Sequence, residues 1–327
     1  MRRRSMWAWR RASARYPWLP ALRRRMSGVV LGITRLVYRG RPGGADHEAL
    51  GLDPTNITWI FCVGRSGSTW LSNVMGELGG HTIWREPKIG QLFGEFYINT
   101  PKQKRDSANF IMGTPTRKAW ISSIRNFVLV GARHTFPLLR PEHQLIIKEP
   151  GGGVGAPLLM EALPESRMIL LVRDPRDIVA SWLDAASQEG WKRQNRSAGS
   201  KRETLAEKRP DAAVRKLSRR CLNNLQMARQ AYDDHQGPKT LVLYERLRGD
   251  TLGTMKGMYS DLGIKIDEAQ LARAVEKHAW ENIPKDLKGE GKFFRKASPG
   301  GWREDLTPKQ AEMIERITVP ILDEFYA

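Results

Sequence analysis

The fold of this chain is decided by the stretch WIFCVGRSGSTWLS, residues 59–72. An apolar run leads into a turn rich in Gly and Ser, and a helix-like segment follows the turn. Successive backbone N–H groups of a glycine-rich turn, with the unpaired N–H groups at a helix start, bind phosphate-like anions. Ser68 and Thr69 add hydroxyl donors while they cap the helix. The stretch therefore predicts an anion site between a strand and a helix.

This turn differs from the ATP-binding Walker A loop, which has four residues between its glycines and then Lys followed by Ser or Thr. Only two residues separate Gly64 from Gly67, and no lysine follows them. The cation of the turn, Arg65, comes before the second glycine. The turn alone indicates an anion and leaves open whether that anion is part of a nucleoside triphosphate.

The rest of the chain alternates short apolar runs with helical patterns. Four runs of mostly Ile, Leu, Val and aromatic residues are typical of strands buried on both faces: 57–63, 145–148, 168–172 and 240–244. Helical periodicity is present at 69–78, 156–163, 175–186, 212–233, 252–262, 268–277 and 308–326. Strands that alternate with helices predict an α/β fold of three layers, a parallel sheet flanked by helices. In this fold the first turn resembles a nucleotide-binding P-loop.

The composition is that of a globular protein with an excess of positive charge. The 327 residues are 40% hydrophobic and 27% charged, and their formal net charge is +19. This charge predicts an anionic partner, such as a nucleotide, a sulfated or phosphorylated compound or an acidic lipid. Two cysteines, Cys62 and Cys221, are too few for a disulfide framework, which favours a reducing, cytoplasmic location. No apolar stretch approaches the ~20 residues that span a bilayer.

We predict one globular domain over residues 51–327, preceded by a basic extension over residues 1–50. Twelve arginines lie within residues 1–41, with tryptophans among them and no lysine or acidic residue. The extension is either loosely packed or disordered, or it is a peripheral anchor at the inner membrane face, since arginine beside tryptophan suits an anionic interface. A second basic segment, around 188–216, is predicted to be an insertion over the sheet edge.

A second motif, MILLVRDPRDIVASWL at residues 168–183, points to another phosphate position. It places Arg173 at the end of a predicted strand and Ser181 eight residues later in the next helix. Parallel sheets bind ligands at the carboxyl ends of their strands, and an arginine fork beside a hydroxyl suits a phosphate. Asp174 and Asp177 are predicted to cap the start of this helix.

In combination these motifs resemble the sulfotransferases that use 3′-phosphoadenosine-5′-phosphosulfate (PAPS). Residues 64–71 resemble that family's 5′-phosphosulfate loop, and Arg173 and Ser181 match its 3′-phosphate motif at the same spacing. A third segment, RKASPGGW at residues 295–302, is similar to the family's Arg-Lys-Gly-x-x-Gly-Asp-Trp, although Ala297 stands where the family often has glycine. The resemblance implies a single sulfotransferase domain that binds PAPS and releases its desulfated product, PAP.

The resemblance also assigns residues to the nucleotide. Trp70 would stack on the adenine and Tyr244 would lie beside the same base, although either ring could instead fill the core. The complete set of expected nucleotide contacts is Arg65, Ser66, Gly67, Ser68, Thr69, Trp70, Arg173, Ser181, Tyr244, Arg295, Lys296 and Gly300. No metal is expected, and none of the six histidines forms a ligand cluster in the sequence.

For catalysis, the resemblance implies in-line transfer of a sulfuryl group to a hydroxyl or amine of an acceptor. Arg65 would neutralise the leaving oxygen, and Lys148 offers a second cation at a strand end. Small-molecule members of the family use a histidine base after a Lys-Thr pair, whereas Glu149 follows Lys148 here. Glu86 lies twenty-one residues after Arg65, a spacing similar to that of the glutamate base in tyrosylprotein and some bacterial carbohydrate sulfotransferases. We therefore expect Glu86 to be the general base, with Glu149 as the alternative.

Two other functions fit part of the sequence. A P-loop kinase or NTPase would share the fold, but the Walker lysine and a convincing metal-binding aspartate strand are missing. A non-enzymatic polyanion-binding protein would account for the charge but leaves three ordered motifs without a purpose. For the acceptor we expect a glycan, a lipid-linked molecule or a small hydroxylated molecule, and no specific nucleic acid.

Overall fold

A parallel sheet forms the centre of the computed structural model, which describes residues 52–186, 208–289, 292 and 294–326. Its five strands are β1 (Ile57–Cys62), β2 (His81–Arg85), β3 (Gln144–Pro150), β4 (Arg167–Val172) and β5 (Lys239–Leu243). Their order across the sheet is β2-β3-β1-β4-β5, and each neighbouring pair is parallel. The predicted parallel α/β fold is confirmed by this arrangement.

Helices connect the strands and follow the sheet. In the described ranges they are α1 (Ser68–Gly76), α2 (Ile89–Asn99), α3 (Lys102–Arg105), α4 (Arg117–Thr135), α5 (Ala156–Ala162), α6 (Pro175–Ala186), α7 (Pro210–Asp234), α8 (Tyr244–Gly249), α9 (Thr251–Asp261), α10 (Glu268–Lys277), α11 (Trp302–Asp305) and α12 (Pro308–Tyr326). Each of the seven helices predicted from the sequence begins and ends within two residues of an observed helix. The fourth predicted strand ends one residue early, because Tyr244 begins α8.

Both faces of the sheet are covered, because side chains alternate along each strand. On β1, Trp59 and Phe61 enter one hydrophobic core, while Ile60 and Cys62 enter the other. The first core is closed by α4, α5 and α7, and the second by α1, α9 and α10. Burying one such large apolar side chain stabilises the fold by roughly 1.5–3 kcal/mol. These two cores produce the three layers that the sequence predicted.

Strand β2 and helices α2 and α4 were not predicted. Strand β2 lies at the edge of the sheet, and none of its residues is fully buried. An edge strand needs no unbroken apolar run, so it lacks the pattern that identified the central strands. These elements matter for function, because β2 leads directly to Glu86 and then to α2.

Some predictions fall on parts of the chain that the structure does not describe. The basic extension over 1–50 lies outside the described residues, and so does the predicted insertion from 188 to 207. The last residues of that insertion, from Pro210 onward, form the start of α7. In the described ranges, no helix combines the length and the apolar character that crossing a bilayer requires. Cys62 and Cys221 are buried free thiols, and burial raises the pKa of Cys62 to about 12.

Candidate active site

The carboxyl end of β1 leads into the turn at residues 64–67, and α1 begins at Ser68 with Gly67 as its N-cap. Gly67 has a φ of +86°, and a Cβ at this position would lie 2.6 Å from the Tyr244 ring. Both the backbone conformation and the close ring therefore require glycine here. Arg65 has a φ of +77° although it carries a side chain, a strained conformation that is concentrated in binding turns.

Arg173 reaches this turn from the neighbouring strand. Strand β4 is hydrogen-bonded to β1, so the ends of the two strands lie side by side. Arg173 Nη1 donates to the carbonyl oxygen of Arg65 at 2.9 Å, and its guanidinium lies 4.3 Å from the Tyr244 ring centroid. The Nε atom of Arg173 and the Oγ atom of Ser66 are buried without a hydrogen-bond partner among the described residues. Unsatisfied buried polar atoms at a turn of this kind indicate a polar ligand.

Three guanidinium groups converge on the turn. Arg65 Nε donates to Ser181 Oγ at 2.9 Å, which joins the turn to α6. Burial, together with the positive charges of Arg173 and Arg295, lowers the pKa of Arg65 to about 10. Arg295 is itself held by an ion pair with Asp305 at 2.6 Å. An anion bound among these three groups would relieve their mutual repulsion.

Asp177 does not cap α6 as the sequence predicted. It lies on the third residue of the helix, is fully buried, and accepts the N–H groups of Gly300 at 2.8 Å and Trp302 at 2.9 Å. Asp174 does cap the helix as predicted, because its Oδ1 accepts a hydrogen bond from the N–H group two residues later at 2.8 Å. Asp177 therefore ties the C-terminal loop, which carries Arg295, to the helix that carries Ser181.

The other predicted residues of the C-terminal loop make contacts within the protein. Lys296 lines the cavity, and its Nζ lies 2.8 Å from Glu304 and 3.0 Å from Asp305. Gly300 has a φ of +77°, and its N–H group donates one of the two hydrogen bonds to the Asp177 carboxylate. Ala297 adopts a φ of +52°, the left-handed region that favours glycine.

The predicted aromatic residues lie at the same cavity. Trp70 Nε1 donates to the carbonyl oxygen of His278 at 2.9 Å, and its ring meets Tyr244 edge to face at 6.4 Å. Arg248 was not predicted, yet its guanidinium lies 5.7 Å from the Trp70 ring centroid and its Nε donates to the carbonyl oxygen of Ala297 at 3.0 Å. Trp70, Tyr244 and Arg248 therefore form one wall.

On the other side of the turn, Lys148 connects the anion loop with Glu86. Lys148 Nζ donates to Thr69 Oγ1 at 3.0 Å and to Glu86 Oε1 at 2.8 Å. The pairing arises because β2 and β3 are neighbours, and the Glu86 N–H group donates to the Lys148 carbonyl oxygen at 2.9 Å. Glu86 has a φ of +55° and its carboxylate lines the cavity. A carboxylate and an anion loop therefore share one buried ammonium.

Glu149 follows Lys148 on β3 and therefore points to the opposite face of the sheet. Its Oε1 accepts the N–H group of Ile89 at 2.8 Å, and the N–H groups of Lys88 and Gly90 also contact its carboxylate. Burial raises the pKa of Glu149 to about 7 in spite of these bonds. Glu149 does not line the cavity, and it holds the start of α2 in place.

These walls enclose a cavity of about 680 Å³, a size typical of small-molecule sites. The cavity has further polar and aromatic lining residues that the sequence did not identify: Lys88, Gln91, Trp182, Lys216, Arg220 and Asn224. They belong mainly to α2, α6 and α7, and no local motif marks them. In the described part of the chain, no group of three or more His, Cys, Asp or Glu residues is arranged to hold a metal ion.

The parallel sheet, the glycine turn at the end of its central strand and the converging arginines define a P-loop nucleotide-binding transferase. The chain belongs to the sulfotransferase family, because the family model of the sulfotransferase domain matches residues 56–325. It is therefore a PAPS-dependent sulfotransferase, an enzyme that transfers a sulfuryl group to an acceptor.

Solved structures share this fold. A mouse sulfotransferase, SULT7A1, complexed with PAP is 15% identical with a TM-score of 0.53, and the match covers 86% of this chain and 93% of that one. Sulfotransferase STF9 from Mycobacterium avium is 13% identical with a TM-score of 0.54, and the match covers 86% of this chain and 80% of that one. At these identities the likeness shows the fold. No curated protein sequence matches the chain.

Proposed function

We propose that Glu86 is the general base of an in-line sulfuryl transfer from PAPS to a hydroxyl or amine of an acceptor. The observation that carries the proposal is the contact of one ammonium, that of Lys148, with both Glu86 and the anion loop. A base must lie within reach of the acceptor, and the acceptor must lie in line with the sulfur. A carboxylate that lines the cavity beside the loop supports both conditions.

In this proposal the nucleotide occupies the arginine side of the cavity. The backbone N–H groups of residues 65–69 bind the 5′-phosphosulfate, and Arg173, Ser181 and Arg295 bind the 3′-phosphate. The unpartnered Nε of Arg173 supports this assignment, since it is a buried donor for which a phosphate oxygen is a fitting acceptor. The adenine lies at the wall of Trp70 and Tyr244.

The proposed transfer needs no reactant besides PAPS, the acceptor and the side chains of this protein. The proton of the acceptor hydroxyl passes to the Glu86 carboxylate as the acceptor oxygen forms a bond to sulfur. The bond between sulfur and the bridging oxygen breaks, and its electron pair stays on the 5′-phosphate of PAP. Arg65 and Lys148 neutralise the charge that grows on this oxygen.

Glu86 is preferred to Glu149 because of position. A pKa of about 7 would suit Glu149 to a base at neutral pH, but its carboxylate is engaged by the backbone N–H groups of residues 88–90 and does not line the cavity. A proton acceptor needs direct or water-mediated contact with its substrate, so geometry decides before the pKa does.

The test is Glu86→Gln, compared with Glu95→Gln on the exposed side of α2. We expect Glu86→Gln to lower kcat by ~100- to 10,000-fold, the range for loss of a general base, with PAP affinity unchanged. Transfer from labelled PAPS to a panel of glycans, phenols and lipids measures kcat, and calorimetry measures PAP binding. A kcat within a few fold of the wild type would remove Glu86 from this role. A second measurement tests the proposed 3′-phosphate site of Arg173, Ser181 and Arg295: equal affinity for PAP and 5′-AMP would contradict it.

A further inference from the structure

We infer that the acceptor of this enzyme is a hydroxylated molecule that carries an anionic group, a sulfate, phosphate or carboxylate. The inference rests on the proposed function, because it concerns the half of the cavity that PAP leaves to the acceptor. It is drawn from three cations and one amide oxygen that line this half and that no nucleotide motif claims: Lys88, Lys216, Arg220 and Asn224.

Helix α7 presents one continuous face to the cavity. Ala213, Lys216, Leu217, Arg220 and Asn224 line it, and their spacing of three or four residues is that of one helical face. Two of these five residues are cations, at positions one turn apart. A helix face turned toward a substrate cavity places both charges where they act on a bound molecule.

Arg220 is directed to the acceptor side of the site. A Cβ on Gly151, which follows β3, would lie 3.9 Å from Arg220 Nη2 and 3.2 Å from Gln91 Nε2. The Arg220 guanidinium also lies 6.0 Å from the ring centroid of Trp182. Arg220 therefore lies near the end of β3, the strand that carries Lys148.

Among the described residues, these cations have no acidic partner, in contrast to those of the C-terminal loop. Lys296 and Arg295 are both paired with acidic side chains. Across the described ranges, the side chains of Lys88, Lys216 and Arg220 make no ion pair or hydrogen bond. All three side chains are exposed, and Glu86 also lines the cavity, so the excess of positive charge is a net one. A net positive charge around a concave site concentrates anionic ligands. Three such charges beside one cavity therefore select an anionic acceptor over a neutral one.

Asn224 adds an independent observation. It is 5% exposed, and its Nδ2 donates to the Arg220 carbonyl oxygen at 3.0 Å, which fixes the orientation of the amide. Its Oδ1 is buried and has no hydrogen-bond partner in the part of the chain described. An amide oxygen accepts a hydrogen bond and donates none, so a hydroxyl group of the acceptor suits it. The acceptor therefore combines hydroxyl and anionic groups.

The experiment uses the full chain saturated with PAP, so that added anions cannot enter the nucleotide half. NMR titrations compare a sulfated disaccharide with its desulfated form, and inositol 1-phosphate with inositol. The first pair represents an anionic glycan and the second a lipid headgroup. We expect the anionic member of at least one pair to bind about tenfold more tightly than its neutral form, and more weakly as salt is raised.

The double variant Lys216→Gln with Arg220→Gln should abolish this preference. Its matched control is Arg215→Gln with Arg219→Gln, which removes the same charge from the same helix at positions that do not line the cavity. We expect the control to keep the preference. Equal binding of charged and neutral members in both pairs, or equal loss in both double variants, would overturn the inference.

The two proposals fail in different ways. If PAP itself does not bind, the proposed function fails and the inference falls with it. If PAP binds with the expected preference over 5′-AMP while neither anion is preferred, only the inference is overturned. In transfer assays with PAPS, the anionic member should likewise show the higher kcat/KM.

Discussion

Lys148 Nζ lies 2.8 Å from Glu86 Oε1, and the two side chains of this pair are 3% and 50% exposed. The buried ammonium also donates to Thr69 Oγ1, so it joins the carboxylate at the end of β2 to the first turn of α1. A buried charge needs a partner, and Glu86 and the anion loop supply it from two sides. The pair therefore connects the anion loop with the carboxylate that we propose as the base.

This connection predicts the effect of Lys148→Met. The methionine fills a similar volume but removes the cation that the proposed mechanism places beside the leaving oxygen. Loss of one such electrostatic group lowers kcat by ~100- to 1,000-fold. Single-turnover transfer from labelled PAPS measures the effect. Lys118→Met, at an exposed position on α4, is the control and should keep full activity. A Lys148→Met enzyme with normal kcat and a lowered Tm would limit Lys148 to a structural role.

The position of Asp177 leads us to expect a separate effect of its substitution on the affinity for PAP. Its two carboxylate oxygens each accept one backbone N–H group of the C-terminal loop, and an amide can accept only one of them. Asp177→Asn should therefore release one end of the loop and weaken PAP binding by about tenfold, the loss expected for one hydrogen bond to a charged group. The KM for PAPS should rise while kcat changes little.

The readout that separates positioning from stability is the preference for PAP over 5′-AMP. If Asp177 positions the proposed 3′-phosphate site, through the loop that carries Arg295 and through its own ion pair with Arg173 at 3.7 Å, the ratio of the two affinities falls in Asp177→Asn. If Asp177 only stabilises the fold, Tm falls and the ratio stays at its wild-type value. Asp250→Ala, which removes the side-chain cap of α9, provides a control with reduced stability and an intact loop.

The sequence located the anion loop and Arg173 because each directly follows a central strand with an unbroken apolar run. It could not assign Asp177, whose hydrogen-bond partner Gly300 lies 123 residues away. Nor could it find Arg220, since a cation on a long amphipathic helix has the same local pattern whether it faces solvent or a cavity. Local sequence determines where a strand ends, whereas the packing of the layers determines which face of α7 lines the cavity.

Glu149 predicts a dependence of stability on pH. Burial raises its pKa from 4.5 to about 7, so between these values the folded state binds more protons at this site than the unfolded state. The free energy of unfolding therefore falls as pH rises from about 4.5 to about 7, by about 3 kcal/mol in all. Urea unfolding of the wild type and of Glu149→Gln at pH 5 and pH 8 measures this. We expect the wild type to lose free energy of unfolding relative to Glu149→Gln between pH 5 and pH 8. The exposed control Glu142→Gln should show no such change relative to the wild type. A difference that is constant with pH would contradict the raised pKa.

The positive φ of Ala297 leads us to expect that Ala297→Gly stabilises the enzyme. Its φ of +52° is disfavoured for any residue with a Cβ by roughly 1–2 kcal/mol, and glycine avoids this strain. Glycine also has more conformational freedom in the unfolded chain, and this cancels about 0.4–1 kcal/mol of the gain from relieved strain. Ala297→Gly should therefore raise the free energy of unfolding by about 0.5–1 kcal/mol. Ala272→Gly inside α10 is the opposite control and should lower it by about 1 kcal/mol. Urea unfolding compares the three proteins, and a loss at Ala297→Gly as large as that at Ala272→Gly would show that the left-handed conformation carries no strain. Because Arg248 donates to the Ala297 carbonyl oxygen, PAP affinity should also stay at its wild-type value when this backbone geometry is kept.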